Sequence, residues 1–183
     1  MSGHHLVMGT LLDVLTGQTL DDTHDERYRQ KIARLLLDKG HPRQDISAQV
    51  PVVITNLGRS FPCPVDFTVS ARGRIAMVVR YGPGSLVTRQ RAALSASRLV
   101  APYQVPMVVV TNGEDAQILS GETGKVTAEG LSAVPDRSAL EKIAESAAFA
   151  PVSEKRAEAE RKILFTHDAV GACNCDDACE IPT

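Results

Sequence analysis

Four cysteines are the residues whose types and spacing most directly suggest chemistry. Three of them are clustered near the C-terminus as Cys173, Cys175 and Cys179, and the fourth is Cys63. Thiolates are soft ligands for Zn²⁺ or an iron–sulfur cluster, and either Cys63 or His167 could supply the fourth ligand. This set of one plus three cysteines predicts a metal centre, with a reduced or redox-active thiol segment as the alternative.

The middle of the chain holds a locally basic stretch between residues 72 and 98. Its members are Arg72, Arg74, Arg80, Arg89, Arg91 and Arg98. Guanidinium groups can bind phosphate through paired hydrogen bonds, so the charge of this stretch favours contact with DNA or RNA. The alternative is that these arginines form an ordinary solvated surface.

The overall composition argues against broad nucleic-acid binding. The chain has 183 residues with 20 Lys+Arg against 22 Asp+Glu, so a general electrostatic attraction to nucleic acid is disfavoured. Trp is absent and aromatic residues make up 4%, which leaves few platforms for stacking bases. The first residues show no targeting signal and no apolar run is long enough to cross a bilayer. We therefore expect a cytoplasmic protein without membrane contact.

The elements that would position these residues alternate between strands and helices. Thr23 and Glu26 predict a capping box at the start of a helix that ends before Gly40. Downstream, the patterns predict a strand over 46–55, a loop over 56–64, a hairpin over 65–69 and 75–80, a helix over 88–100, strands over 105–111 and 116–119, and helices over 137–147 and 153–165. The strand at 116–119 is expected at an edge, and the last helix is expected to be mostly solvated. This order favours an α/β fold with a mixed central sheet flanked by helices.

Several segments of the chain, taken in order, resemble one family. These segments are DERYR at 25–29, KGHP at 39–42, VDFTV at 65–69, Gln90 and VVVTNG at 108–113. They are similar to the N-terminal nuclease domain of type I restriction enzyme motor subunits, within the PD-(D/E)XK superfamily. The resemblance implies a restriction-endonuclease-like domain over 1–150, with a charged helix and a Cys-rich tail over 151–183.

The resemblance also implies a metal-dependent nuclease site. In that superfamily an Asp on one strand and a Glu-x-Lys pair on the next hold Mg²⁺ and help to activate water. Here Asp66 takes the Asp position, but Val78 and Arg80 take the Glu and Lys positions, or Val79 and Tyr81 in a register shifted by one. Neither register supplies a carboxylate, and a permanently protonated arginine is a poor base. The resemblance leaves a remnant site made of Asp66, Glu26, Arg80 and Gln90.

We therefore predict a divergent nuclease-like protein that is catalytically impaired and keeps a nucleic-acid- or anion-binding groove around Asp66, Arg80 and Gln90. Mg²⁺ would bind only if the remnant site were active, and whether the protein is an enzyme is left open. Each residue also has a structural interpretation: a strand-end hydrogen bond for Asp66, a cap for Glu26, a salt bridge for Arg80 and a surface position for Gln90. The alternative function is a zinc- or iron–sulfur-linked interaction module that uses the C-terminal cysteines.

Overall fold

A six-stranded mixed sheet lies at the centre of the computed structural model, which describes residues 6–56 and 59–169. The described strands are β1 Thr10–Leu12, β2 Thr19–Asp21, β3 Ile46–Val50, β4 Val53–Asn56, β5 Arg59–Pro62, β6 Val65–Ala71, β7 Arg74–Tyr81, β8 Met107–Thr111, β9 Ala116–Ser120 and β10 Val126–Glu129. The described helices are α1 His24–Asp38, α2 Gln90–Ser97, α3 Arg137–Ser146 and α4 Glu154–Leu164, and a π-helical turn over Phe165–Ala169 continues α4. Within these ranges no helix is long and apolar enough to cross a membrane.

The order of strands in the central sheet is β10-β9-β8-β7-β6-β3. All neighbours are antiparallel except β7 and β8, which are parallel with Tyr81 opposite Thr111. The connection between these two parallel strands carries α2, as a parallel crossover requires. This topology brings the start of β6 and the ends of β7 and β8 to one end of the sheet.

Helices cover both faces of the central sheet. Phe67 and Val79 pack in one apolar cluster with Leu36 of α1 and Leu140 of α3. Val78, on the opposite face, packs with α2 and α4 in a second cluster, and Val108, Val110 and Leu94 form a third. Successive residues of a strand point to opposite faces, so these strands are apolar on both sides. The predicted mixed sheet flanked by helices is confirmed, whereas the Cys-rich tail lies outside the described residues.

The first helix begins as its sequence indicates. Thr23 Oγ1 accepts a hydrogen bond from the backbone N–H of Glu26 at 3.1 Å, which satisfies one of the unpaired donors of the first turn. Ile32 and Leu36 bury the apolar stripe of the helix. The predicted hairpin is also confirmed, as β6 and β7 with Phe67 opposite Val79.

Three predictions about strands were wrong. Residues 46–55 do not form one strand, because Pro51 cannot donate to a ladder and the chain leaves the central sheet there. The predicted loop over 56–64 contains β5, which pairs with β4 and places Ile54 opposite Phe61. The strand β9 is not at an edge, since β10 pairs with it. The pattern of β10 is mostly exposed and polar, so it lacks the apolar alternation that marks a strand.

The last helix departs from the prediction of a mostly solvated surface helix. Ala157, Glu160 and Leu164 are buried, and the helix packs against α2 across one face of the sheet. The expected charges are present on its outer side, where Lys162 pairs with Glu158 at 3.0 Å. One charged residue of the run is therefore part of the interior, which a count of charges does not reveal.

Candidate functional site

Asp66 is buried at the start of β6, and both of its carboxylate oxygens have partners. Arg29 Nε of α1 donates to Oδ1 at 2.9 Å, and the backbone N–H of Tyr81 donates to Oδ2 at 2.8 Å. The side chain thereby connects the first helix to both strands of the β6–β7 hairpin. These contacts match the structural interpretation of Asp66 as a hydrogen-bonding residue at a strand end.

Glu26 lies in the first turn of α1 beside the same arginine. Its carboxylate accepts from Gln30 Nε2 at 2.8 Å and from Arg29 Nη1 at 3.4 Å. Glu26 therefore does not close the second half of the capping box, although Thr23 caps the helix. Asp66 and Glu26 are brought together as the remnant site predicts, but a guanidinium group lies between them.

Arg29 is the residue of this cluster to which the sequence assigned no role. Burial by itself would lower its pKa, but the hydrogen bond to Asp66 and the charges of Asp66, Glu26 and Asp25 together raise the pKa above its ordinary value. The arginine is thus firmly cationic where a nuclease would hold a metal ion. Among the described residues, no group of three or more His, Cys, Asp or Glu side chains is arranged to hold a metal.

Aromatic rings close this end of the sheet. Tyr81 stacks on Tyr28 with ring centroids 5.7 Å apart, and its hydroxyl donates to Asp25 at 3.1 Å. Burial, followed by the hydrogen bond to Asp25, raises the pKa of Tyr81. The Tyr28 ring in turn lies against Gly113, which has a φ of +86° and no room for a β-carbon. The Thr-Asn-Gly segment after β8 is therefore packed onto α1.

The positions that should supply the second carboxylate are buried in apolar clusters. Val78 is fully buried with Ala92 and Ala96 of α2. Val79 is buried on the opposite face, against Phe67. A metal ligand at either position would need water or a cation beside it, and neither cluster provides one.

Arg80 lies apart from Asp66, on the face covered by α2 and α4. Its Nη2 donates to Asp168 Oδ2 at 2.8 Å, and the two side chains are only 17% and 22% exposed. The pair borders a cavity of about 250 Å³ lined by Arg80, Tyr81, Thr88, Arg89, Ala92, His167 and Asp168. Asp168 was not identified from the sequence, because no local pattern links it to a residue 88 positions earlier.

Gln90, at the start of α2, belongs to a different hydrogen-bond chain. Its Nε2 donates to Gln117 Oε1 at 2.7 Å, and Gln117 in turn donates to Glu129. Gln90 is not among the residues that line the cavity beside Arg80. The four residues of the predicted remnant site therefore fall into three places: Asp66 with Glu26, Arg80 with Asp168, and Gln90 with Gln117.

Cys63 is buried in an apolar cluster with Val52, Ile54 and Val65. Burial raises the pKa of its thiol to about 11; the nearby charge of Asp168 adds to this effect, and that of Arg80 opposes it. This environment disfavours the thiolate form that a metal would bind. Cys173, Cys175 and Cys179 lie outside the described residues, so the predicted ligand set stays a prediction.

The arginines of the basic stretch each have a partner within the chain. Arg72 pairs with Glu145, Arg74 lies over the rings of Tyr103 and Phe149, Arg89 donates to the carbonyl of Pro83, and Arg91 and Arg98 pair with Glu160. Arg80 pairs with Asp168. Three of the six arginines, Arg72, Arg74 and Arg89, are exposed, as the alternative of a solvated surface predicts, whereas Arg98 is buried.

Glu160 organises the most heavily charged of these contacts. It is fully buried and accepts from Ser95 Oγ at 2.7 Å, Arg98 Nη1 at 2.8 Å and Arg156 Nε at 2.6 Å, and pairs with Arg91 at 2.8 Å. Burial alone would raise the pKa of Glu160, but these hydrogen bonds and charges hold it below its ordinary value of 4.5. The carboxylate joins α4 to α2 through a fully paired polar cluster.

These features fit a nuclease-like α/β domain, with a strand-end Asp beside the first helix and a hairpin at the centre of a mixed sheet. Residues 24–135 match the family described as the type I restriction enzyme R protein N terminus. The match spans more than half of the chain, and the chain belongs to this family. No curated protein and no solved structure matched it.

Proposed function

We propose that this chain is a nuclease-like domain that binds the phosphate backbone of DNA without cutting it. The burial of Val78 between the sheet and α2 carries the first half of the proposal. A two-carboxylate metal site needs oxygen ligands from neighbouring strands, and the second strand offers an apolar side chain in their place.

The contacts of Asp66 support the same conclusion. Both carboxylate oxygens accept hydrogen bonds inside the fold, and the cation beside them is Arg29. A guanidinium group cannot polarise a phosphate and generate hydroxide in the way that a bound divalent metal does. The cluster therefore serves to hold the hairpin on α1.

The cavity beside Arg80 supports the binding half of the proposal. Arg80 and Arg89 line it together with Asp168, so the guanidinium groups outnumber the carboxylate. A type I restriction enzyme acts on DNA, and membership of that family favours DNA as the source of the phosphates. Since the formal net charge of the chain is −2, we expect weak, salt-dependent binding, with a Kd on the order of 10⁻⁴–10⁻⁶ M at physiological salt and tighter binding at low salt.

A cleavage assay tests the catalytic half. Plasmid DNA incubated with the protein and Mg²⁺ or Mn²⁺ should remain supercoiled, with a known nuclease as the positive control. Cleavage that is abolished in an Asp66→Ala variant that is still folded by circular dichroism would show that the site is active and would overturn the proposal. Cleavage that persists in Asp66→Ala would indicate a contaminating nuclease, and the assay would be repeated after further purification.

Fluorescence anisotropy with a labelled DNA duplex tests the binding half. Arg80→Ala should weaken binding several-fold and lower the slope of log K against log salt concentration by about 1. Arg72→Ala is the matched control, because it removes the same charge from an exposed pair with Glu145. Absence of binding by the unmodified chain at low salt would overturn this half. Equal losses in the two variants would indicate general electrostatics in place of a site.

A further inference from the structure

The cavity beside Arg80 has the size and lining of a site for a small anion. Its volume of about 250 Å³ is below the range of roughly 300–1,000 Å³ that is typical of sites for drug-sized ligands. Arg80 approaches it from the end of β7 and Arg89 from the residue before α2, whereas His167 lies on the turn after α4 that also carries Asp168. The two guanidinium groups offer several N–H donors to one acceptor-rich ligand.

Asp168 already supplies such an acceptor. Its Oδ2 lies 2.8 Å from Arg80 Nη2, and both side chains are largely buried. Carboxylates and phosphates present similar oxygen acceptors to a guanidinium group, so they compete for the same donors. Because 88 positions separate the two residues, this is a long-range tertiary contact and not part of a local turn.

The segment that carries Asp168 is attached in a way that allows its release. Leu164 is fully buried and Phe165 packs edge-to-face on Phe61 at 5.3 Å, which anchors the end of α4. Asp168 lies beyond this anchor, on a single π-helical turn in which Thr166 and His167 are exposed. A π-helical turn is a rare and irregular conformation. Unwinding it would free Asp168 together with His167 and would leave α4 and Glu160 in place, so Arg80 and Arg89 are the donors that remain for a ligand.

We infer that Asp168 is an internal occupant of a phosphate-binding pocket at Arg80 and that it must leave before a phosphate group binds. The chain therefore limits its own affinity, because the competent state is only a fraction of the population. The inference rests on the proposed function only for the source of the phosphate, which is the DNA backbone in that proposal. Free inorganic phosphate is the other source of the same chemistry.

Asp168→Asn tests the inference by removing the charge and keeping the shape. It should bind a labelled DNA duplex about three- to tenfold more tightly than the unmodified chain. Glu145→Gln is the matched control, since it also removes one negative charge from a carboxylate paired with an arginine, Arg72, but away from the cavity. A second substitution, Arg80→Ala in the Asp168→Asn background, should abolish the gain. Circular dichroism and thermal unfolding of each variant establish that it is folded.

The outcomes separate the inference from the proposed function. If Asp168→Asn and Glu145→Gln gain equally, or neither gains while DNA binds, Asp168 is not an occupant and the inference is overturned. If no variant binds DNA, the DNA-binding proposal fails, and inorganic phosphate becomes the deciding probe. Greater thermal stabilisation of Asp168→Asn than of the unmodified chain by phosphate then supports the pocket. Equal stabilisation overturns it.

Discussion

Arg29 Nε donates to Asp66 Oδ1 at 2.9 Å, and this contact joins the first helix to the strand that would carry a catalytic metal ligand. The same arginine reaches Glu26, so one guanidinium group neutralises two carboxylates. Arg29 therefore occupies the space between the two carboxylates of the predicted remnant site. This contact is part of the support for the proposal that the domain does not cut DNA.

Arg29→Met should destabilise the fold, because it leaves the buried Asp66 carboxylate without its cation. We expect a loss of about 2 kcal/mol in the free energy of unfolding, measured by urea denaturation. Adding Asp66→Asn should restore part of the loss, since the amide is neutral. Arg27→Met is the control on the same helix, because Arg27 is 55% exposed in its pair with Asp22 and a smaller change is expected. Equal effects of the two arginine substitutions would contradict the role given to Arg29.

Val78→Glu should not restore a nuclease. The side chain is fully buried among apolar groups, and an unpaired carboxylate there should cost about 3 kcal/mol or more. Denaturation curves and a plasmid assay with Mg²⁺ measure the two effects. Val87→Glu is the control, because Val87 is 64% exposed and should accept the charge. A stable Val78→Glu protein that cleaves DNA would show that this strand can still form the site.

Among substitutions of one charged side chain, Glu160→Gln should cause one of the largest losses in the free energy of unfolding. Within residues 6–56 and 59–169, it removes the only acidic partner of Arg98, which is itself buried. Leaving a buried charge unpaired costs about 3 kcal/mol, and denaturation experiments would measure the loss. Glu158→Gln, two residues earlier on the exposed side of the helix, is the control and should change stability little.

The contribution of Glu160 should also depend on pH. Because its pKa in the folded chain is lowered below 4.5, its stabilising effect is complete above that unfolded value and is lost as the pH falls through the folded value. The difference in unfolding free energy between the unmodified chain and Glu160→Gln should therefore be constant from neutral pH down to about 5 and shrink below about 4. If this difference in unfolding free energy stayed constant below about pH 4, the ionised carboxylate of Glu160 would not be the cause of the stabilisation.

Cys63 should resist alkylation in the folded protein. With a pKa of about 11, about one thiol in a thousand is ionised at pH 8, and the side chain is buried as well. Iodoacetamide labelling followed by peptide mass spectrometry should find Cys63 unmodified before denaturation in urea and modified after it. Rapid labelling of the native chain would contradict the burial. Protection that disappears when a chelator removes zinc or iron would favour the predicted ligand set.

The elements nearest the site were the most predictable from sequence. The stripe of Ile32 and Leu36 and the cap at Thr23 are local patterns, and the β6–β7 hairpin has a short turn between two apolar runs. These features depend on residues that are close in the chain, so their periodicity carries the information. The absence of a second carboxylate is likewise visible in the sequence, and the structure adds that the valine in its place is buried.

The partners of the charged residues were not predictable in the same way. Asp168 and Glu160 meet arginines that lie 88 and 62 positions earlier, and no spacing rule connects such residues. A run such as Glu154–Leu164 indicates an exposed helix because most of its charges are solvated, and one inward glutamate does not alter that pattern. The same limit applies to the basic stretch, because the sequence does not indicate which groups its arginines contact.

The buried ion-pair cluster around Glu160 makes the end of α2 and the helix α4 depend on each other. Arg91 of α2 and Arg98, the residue after it, lie within the region that the family shares, residues 24–135, whereas Glu160 lies beyond it. Joining the shared region to a different C-terminal segment would leave the buried Arg98 without this acidic partner. The unit that must fold together in this chain is therefore larger than the segment 24–135 by which the family is recognised.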